Sequence, residues 1–111
     1  AHREDENEFA SKIAESATYL FLATAYIETG QALEAIDAAT AGLAVARELG
    51  DDTRAALLLR RRIRAHVLAG DPEKAEQDIA EALETIRPAS DDAFMLKKMR
   101  SELAAQTGSG S

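Results

Sequence analysis

The sequence predicts an all-α protein made of five helices in one domain. Alanine fills 24 of the 111 positions, whereas only six residues are glycine and two are proline. Between the glycine and proline breaks, apolar residues recur at helical spacing. A chain of this length supports a single small hydrophobic core. The predicted domain covers residues 1–106, and a flexible Gly/Ser tail is expected over 107–111.

Short helix-breaking segments divide the chain at regular intervals. Gly30, Gly50 and Gly70 each follow a predicted helix, where glycine tolerates a left-handed backbone. Asp51 and Asp71 follow the last two glycines as predicted N-caps, and a proline-containing break precedes the last helix. The predicted helices cover about 6–28, 32–49, 52–69, 72–86 and 91–106. Because every connection is short, neighbouring helices should lie antiparallel as stacked hairpins.

Apolar patterning justifies these helices individually. The first helix carries two apolar stripes and therefore needs two packing partners. The stripes are Phe9, Ile13, Leu20 and Ile27 on one face, and Tyr19, Leu22, Ala23 and Tyr26 on the other. The second helix contains seven alanines and Gly42, so neighbouring helix axes can approach it closely. The fourth begins with Asp71-Pro72-Glu73, which combines a cap, a preset φ and a favourable charge for the helix dipole. The last helix is expected to cap the domain with one apolar side, formed by Phe94, Met95, Met99 and Leu103.

Charge is distributed unevenly along the chain. The formal net charge is −7, yet residues 53–69 contain five arginines and no acidic residue. These are Arg54, Arg60, Arg61, Arg62 and Arg64. We expect most of them to form ordinary ion pairs with neighbouring helices, through Asp37, Glu73 or Glu76. Nucleic-acid binding is not expected, because the chain is acidic and the arginine run lacks interleaved aromatic residues.

An internal repeat gives the strongest signal in the sequence. A shift of about forty residues superimposes Ala25 on Ala65, Gly30 on Gly70, Ala35 on Ala75, Leu43 on Leu83 and Arg47 on Arg87. In the first unit, the residues Tyr19, Leu22-Ala23, Tyr26, Gly30, Ala35 and Ala39 resemble the tetratricopeptide-repeat pattern. The resemblance covers about residues 16–88. In the second unit Arg62 stands where the pattern has leucine, so a buried Arg62 would need a carboxylate partner.

The resemblance to tetratricopeptide repeats implies a fold and a binding surface. The implied fold is a right-handed α-solenoid fragment of stacked helix pairs, closed by a C-terminal capping helix. The implied surface is a concave groove lined by the first helix of each pair, which would take a peptide or a partner protein. Its candidate residues are Leu20, Thr24 and Ile27 in the first unit and Arg60, Arg64 and Val67 in the second. Arg60 and Arg64, one helical turn apart, could hold an acidic group.

Catalytic and metal-binding patterns were sought in the sequence and none was found. There is no cysteine, and His66 has no second histidine at ligand spacing, so we expect it to be a core or rim residue. The pairs Asp51-Asp52 and Asp91-Asp92 fall at helix starts, where capping explains them. We therefore expect no enzyme, no cofactor, no metal and no membrane span, and a monomer that requires no partner.

Two function classes remain open, of which the sequence favours the first and leaves the second as the alternative. The first is a stable scaffold, engineered or designed de novo, without catalytic activity or an evolved ligand. The Gly/Ser tail, the strong caps and the degenerate groove favour it. The second is a natural adaptor module that binds a peptide or a partner protein in the groove. Arg62, Gly42 and Thr40 inside helices favour the adaptor, because an idealised design avoids such residues there.

Overall fold

The computed structural model describes residues 2–85 and 91–108, which form five α-helices and no β-strand. The helices are α1 (His2–Glu28), α2 (Ala32–Leu49), α3 (Asp52–Leu68), α4 (Pro72–Thr85) and α5 (Asp91–Gly108). The all-helical class and the five predicted helices are thus confirmed. α1 begins about one turn earlier than expected, and α5 continues two residues past the predicted end at 106. The break between α4 and α5, and the last three residues of the predicted tail, lie outside the described residues.

Three of the connections share one local geometry. Gly30, Gly50 and Gly70 have φ values of 76°, 67° and 77°, so each adopts the left-handed conformation that ends a helix. The residue after each glycine donates its backbone N–H to the carbonyl five residues earlier, at 2.8, 3.0 and 2.9 Å. Asp51 and Asp71 then accept a hydrogen bond from the N–H three residues later, at 3.0 and 3.1 Å. Both predicted aspartate caps are confirmed.

Helices that follow one another in sequence contact one another in space. α1 contacts α2, α2 contacts α3, α3 contacts α4, and α4 contacts α5, while α1 also contacts α3. The main buried cluster draws on α2, α3, α4 and α5, and its members are Leu43, Ala46, Leu58, Leu59, Ile63, Ala75, Ile79, Ala82, Leu96 and Leu103. A second cluster lies between α1 and α2, where Ala23, Ala38 and Ala39 pack against Tyr19, Leu22 and Tyr26. α3 therefore contacts α1, α2 and α4.

Gly42 sets how closely α1 and α3 approach α2. A Cβ atom added at Gly42 would lie 2.7 Å from the Tyr19 Cβ and 2.9 Å from the Leu58 Cδ2. Those distances leave no room for a methyl group. A glycine inside a helix costs about 1 kcal/mol relative to alanine, and here the close packing of Tyr19 and Leu58 offsets that cost. The residue that looked irregular in the sequence is required by the contact.

Candidate binding groove

The five arginines of α3 point in three directions, because consecutive residues of a helix are separated by about 100°. Arg54 and Arg61 bond to α1, and Arg62 bonds to α4 and α2. Arg60 and Arg64 line an open groove together with Arg61. The run that is continuous in sequence is therefore divided in space between packing contacts and a surface.

Two arginines join α3 to α1. The Arg54 Nη1 donates to the Ser16 Oγ at 2.9 Å and to the Ile13 carbonyl at 3.2 Å. Ser16 is completely buried, so Arg54 supplies a charged donor to a hydroxyl that water does not reach. The Arg61 Nε donates to the Thr24 Oγ1 at 2.9 Å. These bonds position the two guanidinium groups along the seam between the helices.

Arg62 forms a paired ion in the interior. Its Nε and Nη2 lie 2.8 Å from the two carboxylate oxygens of Asp78, a bidentate arrangement. The side chains of Arg62 and Asp78 are only 16% and 9% exposed. Arg62 also reaches the Thr40 hydroxyl at 3.4 Å and lies 3.9 Å from a carboxylate oxygen of Glu81, which in turn pairs with Arg47. The carboxylate partner that a buried Arg62 requires is present.

The ion pairs expected from the sequence are wrong in their partners. Glu76 lies 2.7 Å from the Arg100 Nε of α5 and not beside an α3 arginine. Asp37 and Glu73 form no ion pair with any residue that the structure describes. The sequence placed these carboxylates on the correct neighbouring helices, but not at the positions that face Arg62.

His66 completes the buried network, one turn after Arg62 on the same face of α3. Its Nε2 lies 3.4 Å from the Asp78 Oδ2, and the His66 side chain is 9% exposed. The Nδ1 atom is buried and has no hydrogen-bond partner among the described residues. Burial lowers the pKa of His66 below its ordinary value. The Asp78 carboxylate raises this pKa, and the Arg62 cation lowers it further, but burial is the largest of the three effects. His66 is thus the core histidine that the sequence predicted, and it is neutral near pH 7.

The groove itself lies beside α3 and has a volume of about 540 Å³. α1, α3, α4 and α5 all contribute to its lining. Arg60, Arg61 and Arg64 form its cationic side. Its open apolar side is formed by Val67, Leu68 and Met95, which are 40%, 48% and 39% exposed. The groove therefore combines positive charge with accessible apolar surface.

The candidate groove residues are only partly brought together. Ile27, Arg60, Arg64 and Val67 line the groove, whereas Leu20 and Thr24 do not. Leu20 packs instead against the main buried cluster. Thr24 accepts the Arg61 hydrogen bond and donates its hydroxyl to the Leu20 carbonyl at 2.9 Å.

Arg61 and two methionines are among the groove residues that sequence reasoning missed. Arg61 belongs to it although it lies about 100° around the helix from Arg60, because its side chain extends along the seam with α1. Met95 and Met99 of α5 also line it, although their stripe was expected to close the end of the domain. Periodicity identifies an apolar face, but it does not say what that face covers.

The electrostatics of the groove follow from its crowded cations. Burial lowers the pKa of Arg61, and the positive charges of Arg60 and Arg64 lower it further, while the Glu28 carboxylate opposes the shift. Glu102 is the acidic residue in the lining that the structure describes. Arginine keeps its charge at any ordinary pH, so the lowered pKa of Arg61 records first its partial burial and then the repulsion from Arg60 and Arg64.

Searches for other kinds of site give two findings. Within residues 2–85 and 91–108, no group of three or more His, Asp or Glu residues is arranged to hold a metal ion. Over the same residues, no helix combines the length and the apolar character needed to cross a bilayer.

Comparison with protein-family models, with curated proteins and with solved structures finds no match to this chain.

Proposed function

We propose that the protein is a non-catalytic helical-repeat module of the tetratricopeptide-like kind, which binds a peptide partner in its groove. In this proposal α1 and α2 form one antiparallel pair and α3 and α4 form the second. The pairs stack as a right-handed solenoid fragment, and α5 closes the end and borders the groove.

The contacts between α1 and α2 support the first pair. The Lys12 Nζ lies 2.7 Å from the Glu48 carboxylate, and Tyr19 lies against Gly42. Residue numbers therefore rise along α1 while they fall along α2, as expected for antiparallel neighbours.

The contacts between α1 and α3 support stacking of one pair on the other. Ser16 bonds to Arg54, and Thr24 bonds to Arg61. Residue numbers rise together along both helices, as expected when the first helix of one repeat lies beside the first helix of the next. Stacked repeats bury a continuous core in this way.

One observation carries the binding function: a groove of about 540 Å³ holds three arginines beside exposed apolar side chains. Ligand sites are concave, mostly apolar, and carry a few polar groups that fix orientation. The groove is lined by residues of α1, α3, α4 and α5, and it includes part of the first-helix surface that the repeat resemblance implies for peptide binding.

A displayed library of random peptides of about twelve residues, selected on the intact chain, tests this function. We expect the selection to enrich peptides that bind the unchanged chain but not the Val67→Asp variant, because this change puts a charge into the apolar side of the groove. Leu33→Asp is the matched control, since Leu33 is 69% exposed and does not line the groove. A library that yields no peptide able to distinguish these two variants contradicts the proposal.

A scaffold made for its fold and without a ligand is the second candidate function. The observation that favours it is the internal bonding of the groove edge, where Thr24 already holds the Arg61 Nε. Such a scaffold should melt above about 90 °C and select no peptide, whereas an adaptor should melt at about 45–65 °C and bind one. Calorimetry on the same preparation distinguishes the two.

A further inference from the structure

Two of the groove arginines, Arg61 and Arg64, keep donors that a ligand could use. Arg64 is exposed, and it forms no hydrogen bond or ion pair with the part of the chain that the structure describes. Arg61 uses its Nε for Thr24, and neither of its terminal nitrogens bonds to any other described residue. The remaining donors can form a planar fork that matches a carboxylate.

Charge complementarity indicates the sign of the ligand. The chain carries a net charge of −7, but three cations are concentrated on one turn of α3 beside the groove. These cations repel one another, so an anion that binds between them relieves an unfavourable interaction as well as forming new bonds. An acidic ligand is favoured over a neutral one for both reasons.

The apolar side of the groove indicates that the ligand is more than a small anion. Val67, Leu68 and Met95 are all between 39% and 48% exposed, and they lie in the same groove as the arginines. An aliphatic side chain that covered them would remove apolar surface from water. The unbranched side chain of Met95 can adjust to the shape of such a group.

The spacing of residues along α3 limits how far apart the acidic groups and the apolar side chain of a ligand can be. Val67 follows Arg64 by three residues and Arg61 by six, which corresponds to about 4.5 and 9 Å along the helix axis. An extended peptide advances about 3.3 Å per residue. Carboxylates and an apolar side chain that bind at these positions would thus lie about one to three residues apart in the peptide.

We propose that the occupant of the groove is an acidic peptide segment whose carboxylates lie one to three residues from an apolar anchor side chain. The carboxylates bind Arg61 and Arg64, and the anchor covers Val67 and Met95. This inference rests on the proposed function, because it names the partner of that same groove.

Fluorescence anisotropy with the full chain and labelled peptides of about twelve residues tests the inference. One peptide carries an Asp-Glu pair two residues from a leucine, a second carries the leucine about eight residues away, and a third replaces the acids with Asn and Gln. We expect the first peptide to bind about tenfold more tightly than the other two. Its affinity should fall as sodium chloride rises from about 50 to about 500 mM.

Variants of the protein sharpen this measurement. Arg64→Gln should weaken the first peptide about three- to fivefold, as expected for one exposed charge pair, and leave the neutral peptide unchanged. Lys98→Gln is the matched control, because it removes one positive charge from an exposed α5 residue outside the groove. Circular dichroism should show both variants folded, since neither side chain is buried.

The outcomes separate the inference from the function on which it rests. The inference is overturned if the neutral peptide binds as tightly as the acidic one, or if Arg64→Gln behaves like Lys98→Gln. If those peptides still lose binding to Val67→Asp, the groove remains a peptide site and the proposed function survives. If no peptide binds and the library selects none, both are overturned.

Discussion

Arg62 and Arg64 lie two residues apart on one helix, yet their surroundings are opposite. Arg62 is 16% exposed and forms two 2.8 Å bonds with Asp78, while Arg64 is exposed and has no ion pair among the described residues. A step of two residues rotates a side chain by about 200° around the helix, which is enough to move it from the core to the groove. The same residue type is therefore a buried, paired ion on one face of α3 and an exposed cation on another.

Removing the carboxylate from the buried pair should have the largest effect. Asp78→Ala is expected to lower the free energy of unfolding by about 3–5 kcal/mol, because it leaves the Arg62 cation buried without its two bonds. Denaturation by urea at neutral pH measures the loss. The double variant Arg62→Met/Asp78→Leu should recover much of it, since two apolar side chains need no partner. A double variant as unstable as Asp78→Ala would contradict this account.

Replacing Arg54, which bonds to α1, should cost less stability than Asp78→Ala and more than a change at the groove. Arg54→Met removes a charged donor from Ser16, which is completely buried, so we expect a loss of about 1–3 kcal/mol in the free energy of unfolding. Ser16→Ala in the same background is the control. Because Arg54→Met has already removed the bond, the further change Ser16→Ala should cost little more stability. If the losses of the two single variants simply add, the bond contributes nothing to stability.

A smaller effect is expected from the protonation of His66. Its pKa is lowered in the folded state, first by burial and then by the balance of Asp78, Arg62, Asp71 and Lys74 around it. The unfolded chain therefore binds a proton more readily, and stability is complete above about pH 6.5 and falls as the pH drops below that value. Chemical denaturation between pH 7 and pH 5, at intervals of about half a unit, measures the slope. His66→Gln, which keeps a donor, should flatten it, and an unchanged slope would contradict the assignment.

The smallest effect is expected at the groove. Arg64→Ala should change the free energy of unfolding by less than about 0.5 kcal/mol, because the side chain is exposed and unpaired among the described residues. The same denaturation experiment measures it beside Asp78→Ala. A loss comparable to that of Asp78→Ala would remove the contrast between the two faces of α3.

Local chemistry made much of the fold predictable. The turn glycines and the caps Asp51 and Asp71 act within a few residues of themselves, so their roles could be stated without the tertiary structure. The repeat resemblance put Arg62 where the pattern has leucine, and it gave the condition that Arg62, if buried, needs a carboxylate partner.

The identity of that partner was not predictable. Asp78 faces Arg62 only because of the relative shift and rotation of α3 and α4, and a shift of one residue would place Gln77 or Ile79 there instead. The groove shows the same limit. Ile27 and Val67 line the groove as expected, but Leu20 packs against the main buried cluster instead.

By itself, the amino-acid sequence determined that this chain forms five helices and where most of them begin and end, because those properties depend on neighbours within one or two turns. Only the tertiary structure decided which arginine is buried, which carboxylate neutralises it and which arginines line the groove. Those outcomes depend on the distances between helix axes, and these distances arise from packing contacts such as Tyr19 and Leu58 against Gly42, between residues far apart in the chain.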